Sequence, residues 1–136
     1  MQGARIIKLA DTEVVPMGAG SEYRPIVGND EGTTPVRTGI QTCMPGYTVP
    51  AHCHPYIEII HVLDGAFEFW MDAAPNETVV LHRGDTIEIQ PEAWHGFRVK
   101  GDQTARLLGT HVSPRRIVQY KDAGIAVDAR GYRSKA

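Results

Sequence analysis

The sequence predicts an all-β protein, a single antiparallel sandwich or barrel, and three observations support that class. Short apolar runs with period-two alternation recur along the chain, and turn-forming residues separate them at regular spacing. No stretch carries the periodicity of a convincing amphipathic helix. At 136 residues the chain can bury a real core but leaves no room for a second domain of usual size.

The elements follow in order. Residues 5–10 and 24–28 read as weak strands separated by Gly- and Pro-containing turns, and residues 28–35 form a polar turn. Val36–Cys43 reads as a strand stopped by Met44-Pro45-Gly46. Glu58–Leu63 is apolar and β-branched, and Asp64-Gly65 behind it is a hairpin signal leading into Ala66–Met71. Residues 73–77 turn the chain into a strand at Thr78–Leu81, and Arg83-Gly84-Asp85 turns it again into Thr86–Ile89. Trp94–Val99 pairs next, and Ala105–Val112 is the last clear strand. A helical turn is expected only near Arg115–Tyr120. This divides the chain into N-terminal strands and turns over 1–35, a barrel over 36–114 and an extension over 115–136. No internal repeat or low-complexity segment is visible.

Composition narrows the function classes. The formal charge of −2, with 42% apolar and 22% charged residues, is that of an ordinary soluble protein. Residues 1–112 carry 8 basic and 14 acidic side chains, whereas residues 113–136 carry 6 and 2, so the extension is basic. Its Arg and Lys residues are scattered and lack clustered aromatics, which argues for a docked or partly frayed extension rather than a nucleic-acid partner. No apolar run approaches a membrane span and the N-terminus lacks a signal-peptide core, so the cytoplasm is the expected location. Cys43 and Cys53 make no disulfide framework in a chain this long and are expected to stay reduced.

The chemistry lies in Gly46-Tyr-Thr-Val-Pro-Ala-His52-Cys-His54-Pro-Tyr-Ile-Glu58-Ile-Ile-His-Val-Leu-Asp-Gly65. Two imidazoles at i and i+2 on an extended segment share a face, and Glu58 has the same parity, although Pro55 turns the chain before it. Imidazole nitrogen and carboxylate oxygen are donors that divalent first-row metals accept. Cys53, between the two histidines, points to the opposite face and reads as a packed thiol. A second string, Gly84-Asp-Thr-Ile-Glu-Ile-Gln-Pro-Glu-Ala-Trp-His95, ends on a further histidine at the start of a strand. Any one of these histidines alone would be better read as a core or surface residue. Three His and one Glu in a two-part pattern are much less easily an accident.

Together the two strings resemble the paired motifs of the cupin superfamily, over about residues 36–114. The first string matches every fixed position of the first motif. The second keeps the spacing from Gly84 to His95, with Pro91 one place late, Ala93 near the usual second Gly, and Val99 for the usual Asn. The resemblance implies an antiparallel double-stranded β-helix, the jelly-roll barrel, in a small single-domain metal-binding cupin. It implies one divalent ion (Fe, Mn, Ni, Co or Zn) held by His52, His54, Glu58 and His95, with two positions left open.

Ile60, Val62, Phe67, Phe69, Trp94 and Phe97 are expected to wall the cavity or fill the core. His61 has the wrong parity for the metal and is expected on an outer face, and His82 is expected in solvent. His111 lies on the final strand, where structural filler is the simpler reading and proton transfer the catalytic one. Arg98 has the wrong parity and anchors a substrate only if Gly96 introduces a bulge. The resulting expectation is a metal-dependent dioxygenase acting on a chelating organic oxyanion. A redox-neutral sugar-acid isomerase, lyase or cyclase is the first alternative, and Leu108–Arg116 is reminiscent of small cupins that convert unsaturated uronates. A non-catalytic sensor or carrier is the second. A twofold homodimer is expected, with the strand around Ile6–Leu9 pairing with the partner.

Overall fold

The computed structural model describes residues 1–133; residues 134–136 of the basic extension lie outside the described residues. Eleven strands follow in chain order: β1 Val15–Pro16, β2 Ser21–Pro25, β3 Arg37–Cys43, β4 Thr48–Cys53, β5 Glu58–Asp64, β6 Ala66–Met71, β7 Thr78–His82, β8 Thr86–Ile89, β9 His95–Val99, β10 Ala105–His111 and β11 Gln119–Tyr120. They form two antiparallel sheets, β1-β2-β3-β10-β5-β8 and β11-β4-β9-β6-β7. The architecture is a jelly-roll barrel. Among the described residues no helix is long and apolar enough to cross a membrane.

Period-two patterning becomes burial directly. β3 and β10 alternate buried and half-buried residues along their whole length, as a strand with one face on the core must. Cys43, Val49, Ile60, Val62, Phe67, Phe69, Phe97 and Leu107 fill the space between the sheets. Phe67, Phe69 and Phe97 meet in tilted and edge-to-face pairs 5.2–6.2 Å apart. Trp94 is only half-buried and stays out of that core.

Four sequence expectations need correction. Asp64-Gly65 is not a hairpin: β5 pairs with β10 and β8, whereas β6 pairs with β9 and β7. Gly65 turns the chain from one sheet to the other at φ +70, passing so close to β10 that a Cβ would fall 2.8 Å from the Ala105 backbone. Residues 5–10 form no strand; they run largely exposed into a 3-10 turn at Leu9–Asp11, where Arg24 of β2 bonds the carbonyls of Leu9 and Thr12 by its side chain in place of a backbone ladder. The second weak strand falls earlier than expected, as β2, pairing with β3. Arg115–Tyr120 is not helical: it leads into β11, which adds to β4 and docks the extension on the barrel.

Candidate metal centre

His52, His54, Glu58 and His95 converge, with one ligand atom from each lying within 4.8 Å of all the others. Three segments bring them together. In β4 the register against β9 shifts between Val49 and His52, so Pro50-Ala51 forms a bulge. Val49 and His52, of opposite parity, consequently both face the cavity. His54 lies just past the end of β4, Glu58 opens β5 and His95 opens β9.

The imidazoles are oriented by backbone carbonyls. Nδ1–H donates to Pro50 O from His52 (2.8 Å), to Ile117 O from His54 (2.6 Å) and to Ala93 O from His95 (2.8 Å). Each contact puts the ring proton on Nδ1 and turns the Nε2 lone pair inward, the tautomer a metal ligand needs. Glu58 Oε1 sits 3.4 Å from His54 Nε2 and 3.3 Å from His95 Nε2. Among the described residues, Glu58 Oε1 and His95 Nε2 are buried side-chain atoms with no hydrogen-bond partner. Orphaned buried acceptors are costly, and a cation among them removes that cost. The donor set and its unsatisfied atoms fit a divalent ion.

Charge states follow from burial. Burial, reinforced by neighbouring His95 and His54, holds His52 well below its usual pKa and therefore neutral. Burial alone would raise Glu58, but neighbouring His111, the largest opposing influence, helps to keep the carboxylate ionised well below its usual range. Burial pushes His111 down to about 4 against the opposing pull of Glu58. A neutral His111 donating Nε2–H to Glu58 Oε2 at 3.0 Å reconciles these directions. Tyr56 Oη, 2.6 Å from His111 Nδ1, supplies the hydrogen bond that fixes this tautomer, and it accepts the Ile117 N–H at 3.1 Å.

The structure sorts the remaining candidates. His111 is buried at the cavity wall. Arg98 is corrected: β9 pairs with β6 in unbroken register, so Gly96 makes no bulge and the bulge falls on β4 instead. Arg98 remains on the outer face, 53% exposed, paired with Glu68 directly across the strand. Gly96 serves packing, since a Cβ there would fall 2.5 Å from the Trp70 ring. His61, half-buried on β5, bonds Thr86 Oγ1 of the edge strand β8 at 2.8 Å, and His82 is exposed. Cys53 is a buried thiol whose pKa burial pushes up. Sequence reading missed Tyr56 and Arg116. Tyr56 shares the parity of His54 and Glu58 and was there to be found; Arg116 reaches the cavity only through the fold of the extension.

The cavity beside these residues is small, about 30 Å³, with room for about one water. A larger surface groove, about 630 Å³, runs between residues 13–19 and 128–133 and contains none of the cluster. The converged ligands, not the size of the groove, identify the functional site. Met17, just after β1, and Tyr23 of β2, with Arg116 and Tyr120 from the extension, line the metal-side cavity.

Comparison with known proteins agrees with this geometry. The family model of the cupin domain matches residues 39–111. A gentisate 1,2-dioxygenase from Haloferax sp. is 31% identical over 94 residues, covering 69% of this chain and 24% of that enzyme. The chain thus spans about a quarter of the length of the curated relative it matches. The polyketide cyclase RemF from Streptomyces resistomycificus superposes with a TM-score of 0.74 at 19% identity, covering 95% of this chain and 90% of that one. KdgF from Halomonas sp. superposes at 0.69 with 20% identity, covering 82% and 96%. At these identities the two structures speak for the fold alone.

Proposed function

Because the chain belongs to the cupin family, we propose that it is a metal-dependent dioxygenase acting on a small, chelating organic oxyanion. One observation carries the metal-dependent part: three imidazoles with Nε2 turned inward around a buried carboxylate, with Glu58 Oε1 and His95 Nε2 lacking any hydrogen-bond partner among the described residues. The likeness to a gentisate 1,2-dioxygenase supports the oxidative reaction class. A bound divalent ion would supply Lewis-acid polarisation and open positions where dioxygen and a chelating substrate meet.

The chain's own residues do the rest. His52, His54, Glu58 and His95 would hold the ion. His111 steadies Glu58 through Oε2, so that Oε1 faces the ligand cluster. Val49, Ile60, Phe97 and Leu107 line the inner wall, where low polarity strengthens each electrostatic contact with a developing oxyanion. Substrate access requires the segments that close the 30 Å³ cavity to move.

A redox-neutral isomerase, lyase or cyclase is the second reading. It is favoured by the Tyr56–His111–Glu58 chain of hydrogen bonds, which offers acid–base chemistry without an oxidant. The experiment that separates the two loads the protein with Fe(II) and follows oxygen uptake against a panel of chelating hydroxy- and keto-acids. Oxygen uptake coupled to substrate loss supports the dioxygenase. Turnover that persists without oxygen supports the second reading, and a tight ligand released unchanged under both conditions refutes both. On either enzymatic reading His95→Ala abolishes turnover and His82→Ala preserves it.

A further inference from the structure

Arg116 stands five residues beyond β10 and borders the cavity shared by His52, His54, Glu58 and His111. Among the described residues that line this cavity it is the one fixed cation. Its guanidinium lies 5.4 Å from the ring centre of Tyr23 and 5.0 Å from that of Tyr132. Its Nε–H donates to Gly131 O at 2.8 Å. Gly131, at φ +84, comes so near that a Cβ would fall 2.1 Å from the Arg116 carbonyl oxygen, so only glycine permits this approach. Two aromatic faces and a carbonyl therefore hold the guanidinium in place.

Its charge is uncommitted. Arg37, Arg98, Arg106 and Arg130 each meet a carboxylate. Among the described residues Arg116 meets none, and its terminal N–H groups have no protein acceptor although they are not sealed from solvent. A planar fork fixed by stacking, with its terminal donors free, matches a carboxylate. With neutral imidazoles, one carboxylate and a divalent ion, the site is already positive before Arg116 adds its own charge. That sum suits a dianion.

We propose that Arg116 is the specificity-determining group, taking a substrate carboxylate set apart from the oxygen pair that chelates the metal. The substrate is then a small dianionic organic acid. This rests on the metal-centre reading above, and it assigns to the C-terminal extension the recognition that Arg98 does not supply.

The test uses the Co(II)-loaded protein and its visible spectrum, titrated with α-keto acids. Oxaloacetate, α-ketoglutarate and α-ketoadipate are compared with length-matched α-ketobutyrate, α-ketovalerate and α-ketocaproate, which share the chelating head but end in methyl. At least one diacid should bind the wild type about tenfold or more tighter than its neutral-ended partner. Arg116→Met should remove the preference and Arg116→Lys should restore part of it. Equal affinities in the wild type, or a preference that survives in Arg116→Met, overturns the proposal. If no keto acid perturbs the cobalt spectrum, the chelation reading fails by itself. The anchor is then judged by the side-chain Nε–H NMR signal of Arg116 in the wild type. A saturable shift with succinate, absent with butanol, supports it, and no shift overturns it.

Discussion

His54 shows how much a single residue depends on distant chain. Its Nδ1–H is held by the carbonyl of Ile117, 63 positions later, while its Nε2 faces Glu58. His54→Ala should therefore empty the site, weakening metal binding by more than the roughly 10–100-fold typical of losing an outer partner. The fold should survive, because the core lies elsewhere. Metal analysis paired with circular dichroism checks both halves. The same residues set a pH dependence. His111 is held at about 4 in the folded protein against an ordinary 6.5, so the unfolded chain binds more protons between those values. Stability of the metal-free protein should thus rise with pH across that window and be lost as pH falls through it, by on the order of 3 kcal/mol for His111 alone. Glu58, depressed below its usual value, adds loss of the same sign at still lower pH. Thermal unfolding of the metal-free protein from pH 7 to pH 4 reads the slope, and His111→Asn should flatten it.

At the scale of elements, strand positions were legible because alternation and turn residues are local properties. β3, β5, β6, β8 and β10 begin and end within a residue or so of the expected places. Strand partners were not legible. Asp64-Gly65 is locally a hairpin signal, yet the chain changes sheets there, because each of its flanking strands has better-matched partners on both sides. Gly65→Ala should destabilise the protein by about 1–3 kcal/mol, from a positive φ and from collision with the Ala105 backbone. Urea denaturation measures that loss, and an unchanged midpoint would show that the corner relaxes. The bulge at Pro50-Ala51 belongs to the same class of feature: its residues are visible in sequence, but the register shift that turns His52 inward exists only against β9.

For the whole molecule, the first ten residues bear on assembly. Ile6 is 65% exposed and Leu9 37%, and the segment adds no strand to either sheet. Apolar side chains on an extended arm are expected to be covered by a second copy, the commonest closed symmetry being twofold. Light scattering at micromolar concentration should give twice the chain mass, and removing residues 1–8 should shift it toward the monomer. A monomeric mass for the full chain would reject the dimer.

The sequence by itself determined the all-β class, the positions of most strands of the barrel and the four residues His52, His54, Glu58 and His95, because donor type, spacing and period-two parity are all carried by neighbours along the chain. Tertiary structure alone decided which strands pair and which sheet each joins. It put Arg98 outside and Arg116 inside, gave His111 its bond to Glu58, and supplied the carbonyls of Pro50, Ala93 and Ile117 that set the histidine tautomers. Those outcomes depend on contacts between segments far apart in the chain, such as Arg37 with His111 and Tyr23 with Arg116, whose distances and angles no local pattern encodes.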